Sequence, residues 1–220
     1  MNIVDFSSQP SVISRFVAEL RDEKYQLNRQ LFRNNLTRIG QMMAFELSKT
    51  LQYSTKEVKT PLGMAQMNLF DDDIVIAAIF RAGLPFHQGF LDVFDDAGNA
   101  FVSAYRYYKD KECEQVGIKI EYIASPNLEG KTLIIADPML ATGGSMELAY
   151  QALKTKGTPK FLHLCSVIAS QKGVDYIKDT FKDIPHVSLW CAAVDQVLNE
   201  HAYIVPGLGD AGDLAYGNKI

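Results

Sequence analysis

Few features of this sequence point outside ordinary globular chemistry, and each shortage excludes a class of protein. Only three cysteines occur in 220 residues: Cys113, Cys165 and Cys191 lie far apart and form no CxxC pair. That argues against a disulfide framework and against a zinc site built on paired thiolates, and it fits a reducing compartment. Cys165 and Cys191 sit in apolar runs and read as small buried hydrophobes. The histidines His87, His163, His186 and His201 show no metal-ligand spacing. No stretch approaches the ~20 apolar residues that a membrane-spanning helix needs. Positive charge is not in surplus: 22 Lys and Arg face 26 Asp and Glu, a net charge of −4. Nothing electrostatic therefore favours nucleic acid or an acidic membrane as a partner. Residues 1–10 hold no basic stretch followed by an apolar one, so no signal peptide is expected and the expected location is the cytoplasm.

The length suits one domain over residues 1–220. Val12, Ile13, Phe16, Val17 and Leu20 recur at helical spacing behind a Ser11 cap, and Leu31, Phe32, Leu36, Ile39, Met43 and Leu47 do so again. Residues 54–69 read as a hairpin around Pro61-Leu62-Gly63. From Ile74 the pattern becomes α/β. Ile74–Ile79 is a continuous apolar run, as for a strand covered on both faces, and a helix is expected over 84–94. Strands are expected over 101–107, 118–124, 132–136, 161–169 and 187–191, with helices over 144–155 and on to about Phe181. Such repeated units predict a mostly parallel central sheet flanked by helices. The stretch Pro206-Gly-Leu-Gly-Asp-Ala-Gly-Asp213 is predicted to be a functional glycine-rich loop without regular structure.

The sharpest motif begins at Thr132. An apolar strand ends at Asp137, and Pro138-Met139-Leu140-Ala141-Thr142-Gly143-Gly144-Ser145 opens a helix. A helix start offers unpaired N–H groups and the positive end of its dipole, which suits a phosphate. Two glycines let the backbone approach the anion, and two hydroxyls add donors. The Walker lysine and the GxGxxG pattern are absent, which disfavours nucleoside triphosphates and dinucleotides. Taken alone, Thr-Gly-Gly-Ser is also readable as a turn and helix cap. Arg81 follows the strand 74–79 and Arg106 ends another strand. Each suits phosphate oxygens, though either alone is also readable as a surface ion pair.

The segment Asp137–Ser145 resembles the phosphoribosyl-diphosphate-binding motif of type I phosphoribosyltransferases, and its single Asp followed by Pro is similar to the uracil phosphoribosyltransferase branch. The resemblance spans nearly the whole chain through Phe80-Arg-Ala-Gly-Leu84, Ala104-Tyr-Arg106, Asp195-Gln-Val-Leu-Asn-Glu-His201 and Tyr203–Asp213. It implies conversion of uracil and 5-phospho-α-D-ribose 1-diphosphate to UMP and diphosphate. It implies catalytic roles for Arg81, Arg106, Asp137 and Asp210. Arg81, Arg106, Asp210 and all of Asp137–Ser145 would hold the phosphoribosyl diphosphate, and Ile204, Gly209, Asp210 and Ala211 would hold uracil. Mg²⁺ would ride mainly on that substrate and water, with Asp210 as the carboxylate that reaches it.

The fold so implied carries a β-hairpin arm and a hood formed by about 195–220 with N-terminal elements. Homodimers or higher homo-oligomers are usual in the family, and GTP, which activates some members, is left open by the residues. Asp213 is left outside the site as a structural anchor, and His201 is expected to anchor a helix or strand. Tyr107, Tyr108 and Lys109, and likewise 214–218, depart from the family's more polar or basic pattern. Two rivals remain at this point. One is transfer to another base, against which the Gly209–Ala211 loop argues; the other is a nucleotide- and RNA-binding regulator, against which the net charge argues.

Overall fold

The structure, a computed structural model, describes residues 1–108 and 116–219, with the side chains of 104–120 outside that description. Cys113 and Lys109 therefore lie outside the described residues, as do the side chains of Tyr107 and Tyr108. A short strand β1 (Asn2–Asp5) leads to helices α1 (Val12–Arg21) and α2 (Arg29–Ser48) and the hairpin β2 (Tyr53–Thr60) and β3 (Gly63–Phe70). Strand β4 (Ile74–Phe80), helix α3 (Gly83–Leu91) and strands β5 (Gly98–Tyr108) and β6 (Val116–Ala124) follow. Then come β7 (Thr132–Ala136), β8 (Met139–Leu140), α4 (Gly144–Lys154), β9 (Phe161–Ser170), α5 (Gln171–Thr180) and β10 (Val187–Asp195). The chain closes with β11 (Val197–Leu198), β12 (Ile204–Val205) and α6 (Ala211–Tyr216).

One sheet organises the molecule, in the order β1-β10-β9-β7-β4-β5-β6, with β8 also pairing with β9. All its pairings are parallel except β5 with β6. Both faces are covered, which is why β4 and β7 read as unbroken apolar runs. Side chains alternate across the sheet: Ile74 and Ile76 join α1, α2, α3 and α6 on one face, and Val75, Ala77 and Ile79 join α4 and α5 on the other. Among the described residues no helix is long and apolar enough to cross a membrane.

Local chemistry explains most boundaries. Ser11 accepts from Ile13 N and forms a capping box with Ser14 at the start of α1. Asn28 accepts from Gln30 N and Leu31 N at the start of α2. The stripe of α2 buries Phe32, Leu36, Ile39, Met43 and Leu47. Leu31 falls one residue, about 100°, off that stripe and stays exposed, contrary to expectation. Three further differences from the sequence reading appear. β1 is not expected from the sequence, because Asn2 and Asp5 bracket only two apolar residues, Ile3 and Val4. The segment 206–213 is not wholly irregular, since α6 begins at Ala211 with Asp210 as its cap. His201 does not anchor an element: its ring is exposed and meets only the Glu200 carboxylate, 3.5 Å away.

Two buried polar clusters hold the sheet's flanks. Trp190 Nε1 donates to His163 Nδ1 at 3.2 Å within the core, so His163 is neutral with its proton on Nε2. Burial pushes His163 down to about 4, only partly offset by the Asp72 carboxylate. The second cluster ties α1 to the C-terminal segment. Arg21 Nη1 and Nη2 reach Asp195 Oδ2 and Oδ1 at 2.8 Å each, and Nη1 also donates to Gly207 O at 3.0 Å. Gly207 N donates to Asp195 Oδ2 at 2.9 Å. Gly207 has φ +54°, and a Cβ there would collide with the Ile204 carbonyl, so the turn requires glycine.

Two outcomes follow. His163 has a folded pKa below its unfolded 6.5, so its contribution is complete above pH 6.5 and is lost as pH falls through about 4. One proton over that window is worth roughly 1.4 kcal/mol per pH unit. His163→Gln, which keeps an acceptor for Trp190, is therefore expected to flatten the acid side of the stability–pH curve by about that slope. Urea titrations at several pH values measure it, and parallel curves would refute the role given to His163. His87, also lowered by burial, leaves a residual slope of the same sense. Arg21→Ala strands the nearly buried Asp195 carboxylate and is expected to cost about 3 kcal/mol in urea unfolding. A loss below about 1 kcal/mol would mean that the pair is solvated like a surface bridge.

Candidate active site

The chain leaves β4 through α3 toward β5, and leaves β7 through α4 toward β9, in opposite directions along the sheet. β4 and β7 are neighbours. Their carboxyl ends therefore flank a topological switch point, the place where open parallel sheets form ligand crevices. Both helices that start there differ from the rest. Among the described helices, α1, α2, α5 and α6 carry a side-chain cap on Ser11, Asn28, Ser170 and Asp210. α3 and α4 carry none. Their first N–H groups thus face the crevice without a capping side chain, and they point positive dipole ends at it.

The phosphate loop is built from the sheet outward. Asp137 N donates to Cys165 O at 3.1 Å, and Asp137 Oδ1 accepts from Met139 N at 3.2 Å. Pro138 O accepts from Val167 N and Ile168 N, and Met139–Leu140 pairs with β9 as β8. Leu140 and Ala141 are buried, while Thr142, Gly144 and Ser145 keep partial exposure. Gly143 is the N-cap of α4 in the left-handed region, φ +88°, a conformation that glycine tolerates at no steric cost. The hydroxyls of Thr142 and Ser145 do not cap the helix, so a capping role does not account for them.

Arg81 stands between β4 and α3. The Phe80–Arg81 peptide is cis. Arg81 Nη2 lies 2.6 Å from Asp213 Oδ1, and Nη1 donates to Gly217 O at 3.0 Å. The arginine is thus tied to the C-terminal segment through Asp213, the residue that sequence reasoning left outside the site. A Cβ on Gly212 would lie 3.3 Å from Arg81 Nη2 and 3.1 Å from Asp210 Oδ1, which places Arg81 and Asp210 around one glycine. Arg106 lies in β5 opposite Ile118, where β5 has run past its pairing with β4 and pairs with β6 alone. The Arg106 side chain falls outside the described residues.

The Gly207–Ala211 segment is closed by the Arg21–Asp195–Gly207 cluster. Ile204, Leu208 and Ala211 are buried and join the same core cluster as Ala141. Gly209 has φ +93°. Asp210 caps α6, accepting from Asp213 N at 3.0 Å, and Lys219 Nζ reaches its Oδ2 at 3.2 Å. Burial pushes the Asp210 carboxyl up, but the Asp213 N–H, the Lys219 ammonium and the Gly212 N–H outweigh it and hold the carboxyl below the usual range. It is therefore a carboxylate at neutral pH. A cavity of about 280 Å³ adjoins this loop, lined among others by Gln26, Leu27, Arg29, Leu208, Gly209 and Asp210. No phosphate-loop residue lines it, so it is a neighbour of the crevice and not the crevice itself. No sequence signal marks Gln26, Leu27 or Arg29, which precede or open α2 without any motif.

Among the described residues no three His, Cys, Asp or Glu side chains converge as a metal cage. One ionised carboxylate beside a phosphate crevice instead suits Mg²⁺, which keeps several waters and is held by one or two carboxylates together with substrate phosphates.

Comparisons with known proteins agree with this geometry. A family model described as uracil phosphoribosyltransferase matches residues 7–218. The chain is 54% identical to the uracil phosphoribosyltransferase of Porphyromonas gingivalis over 220 residues, covering 100% of each. It is 40% identical to that of Methanothermobacter thermautotrophicus over 188 residues, covering 84% of this chain and 83% of the relative. Among solved structures, the AQ2163 protein from Aquifex aeolicus is similar at a TM-score of 0.85 and 32% identity, covering 98% of each chain. A match that runs through the crevice, the phosphate loop and the base loop alike settles the lineage: the chain belongs to the uracil phosphoribosyltransferase family.

Proposed function

We propose that the chain transfers the 5-phosphoribosyl group of 5-phospho-α-D-ribose 1-diphosphate to N1 of uracil, releasing diphosphate and forming UMP. The observation that carries this reading is the switch-point crevice, with two uncapped helix starts on its lip and Arg81 and Asp210 around one glycine. The N1–C1 bond forms as the bond from C1 to the diphosphate oxygen breaks, through an oxocarbenium-like transition state. The electron pair leaves with diphosphate, and the N1 proton is released without a dedicated base. Arg81, held by Asp213, and Arg106 stabilise the charge that develops on the leaving group. Asp137 and the loop Pro138–Ser145 fix the ribose and its 5-phosphate, which converts a bimolecular encounter into an oriented one. Mg²⁺, carried by the diphosphate and water with Asp210 nearby, supplies further charge neutralisation when bound.

Uracil presents acceptor, donor, acceptor at O2, N3–H and O4. Backbone groups of Gly209, Asp210 and Ala211 together with Ile204 answer that edge, and cytosine would leave one of them unpaired in a buried site. The segment from about 195 acts as a hood over the crevice within a single domain 1–220. A homodimer or higher homo-oligomer belongs to the same reading: the arm β2–β3 pairs only with itself in the chain and presents Leu62, 99% exposed, and Met64 at its tip. The free, buried Cys165 and Cys191 suit a reducing cytoplasm.

The direct test is UMP formation from uracil, phosphoribosyl diphosphate and Mg²⁺, against cytosine, hypoxanthine and orotate. Turnover is expected with uracil alone, and a preference for any other base overturns the reading. Thr142→Val with Ser145→Ala is expected to weaken binding of phosphoribosyl diphosphate by roughly 2–3 kcal/mol in calorimetry, since each hydroxyl would bond a charged oxygen. The melting temperature is expected to stay put, because neither hydroxyl caps α4.

Ala211 is the first residue of α6, where proline is accommodated, and Asp210 before it has extended φ −85° and ψ 103°, which proline favours. Ala211→Pro thus removes one N–H with little backbone conflict. Uracil affinity is expected to fall by about 1–3 kcal/mol. Asp210→Asn keeps the cap but loses the charge and is expected to lower kcat more than uracil affinity. The reverse pattern would show that side chains, not backbone, read the base.

A further inference from the structure

The phosphate loop has a back wall, and one residue of that wall reaches around to the helix it opens. Three residues of β9 and α5, spaced three apart, line the loop. Ser170 Oγ donates to Ala141 O and accepts from Gly173 N. A Cβ on Gly173 would lie 2.6 Å from Ala141 O and 2.8 Å from Leu140 O, so α5 approaches the loop at backbone distance. Tyr176, the next along this face, packs its ring where a Gly143 side chain would stand: a Cβ on Gly143 would lie 2.5 Å from Tyr176 Cδ1. Its hydroxyl then donates to Glu147 Oε2 in the first turn of α4. Glu147 N in turn donates to Gly143 O at 3.1 Å.

Tyr176 thus spans the loop's last residue and the first turn of its helix. Gly143 is held in a left-handed conformation at a helix start that has no side-chain cap. Such a start loses its anion geometry when the N-cap residue shifts, because the N–H groups that face the ligand turn with it. Glu147 adds a second constraint. A carboxylate in the first turn of a phosphate-binding helix competes electrostatically with the incoming anion unless its position is fixed. The Tyr176 hydroxyl fastens it on the α5 side of the turn.

We propose that Tyr176 is a positioning residue for the phosphate loop, holding Gly143 with its ring and the Glu147 carboxylate with its hydroxyl so that the start of α4 is preset for the 5-phosphate. This rests on the reading of Asp137–Ser145 as the phosphoribosyl-diphosphate loop. The test uses the full chain and the variants Tyr176→Ala, Tyr176→Phe and Tyr176→Phe with Glu147→Gln. Tyr176→Ala is expected to raise KM for phosphoribosyl diphosphate about tenfold or more, as loosened positioning does, with uracil KM within about twofold of the parent. Tyr176→Phe keeps the ring and is expected to show a smaller rise of about threefold, which Glu147→Gln restores by removing the charge. Titration with ribose 5-phosphate alone is expected to follow the same order. That arm reads the loop independently of the acceptor base, so a failure of the uracil assignment leaves it decisive. An unchanged KM for phosphoribosyl diphosphate, an equal rise in both KM values, or a lowered melting temperature with normal ribose 5-phosphate binding overturns the proposal. If Tyr176→Ala does not fold, the Tyr176→Phe pair decides by whether Glu147→Gln restores binding.

Discussion

The architecture depends on one nearly buried carboxylate. Asp195 ends β10, and a charge at that depth has to be answered locally, because moving it out of water without partners costs several kcal/mol. Three donors answer it: both ends of the Arg21 guanidinium and the Gly207 N–H. They come from two distant parts of the chain, so satisfying the charge fixes where the end of α1, the end of β10 and the C-terminal loop meet. Further contacts, apolar and polar, hold the segment beyond that point. Ile204, Leu208 and Ala211 join the core on the α2 and α3 face, and Arg33 Nη1 donates to Ala215 O at 2.7 Å with its guanidinium over the Tyr216 ring. The Asp195 cluster pins the near end of this glycine-rich segment, and the Arg81 bonds to Asp213 and Gly217 O pin its far end.

With that segment in place, the crevice has two chemically different sides. The sheet side is cationic in character: two uncapped helix starts and Arg81, with the phosphate loop pinned to β9 by backbone bonds. The C-terminal side supplies carboxylates, Asp210 and Asp213, each already engaged by a cation, Lys219 and Arg81. An anion that binds Arg81 must share it with Asp213, and a cation that approaches Asp210 must share it with Lys219. Each of these two pairs is close to charge-balanced within itself.

The sequence was most readable where one interaction fixes local structure. The apolar runs of β4, β7 and β9 predicted a sheet covered on both faces, and Ser11 and the Asp137–Ser145 motif marked helix starts. It was least readable where a residue's partner is distant. Arg21 and Asp195 are 174 positions apart, and nothing near either announces the other. Asp213 reads as an anchor, but nothing in the sequence shows that Arg81 is what it meets. Leu31 and His201 went wrong for a smaller reason: each has a plausible type in a plausible place, and only the helix phase or the tertiary surroundings show it facing water. The start of α6 was hidden because Gly-Asp-Ala-Gly-Asp has turn composition, while Asp210 used its side chain to cap and so converted the turn into a helix.

Recognition by backbone, as proposed for uracil, changes which residues govern specificity. A side chain that reads a base can be replaced in one step. A peptide loop reads through the direction of its N–H and C=O groups, and that direction is set by whatever fixes its φ and ψ. Here those determinants are the left-handed Gly207 and Gly209, the Asp210 cap, and behind them Arg21 and Asp195. None of the last pair needs to touch the ligand. The same logic holds for the phosphate loop, whose geometry is set from behind by Ser170, Gly173 and Tyr176. On the proposed reading, selectivity is thus spread over the residues that support two short backbone segments as well as over the segments themselves.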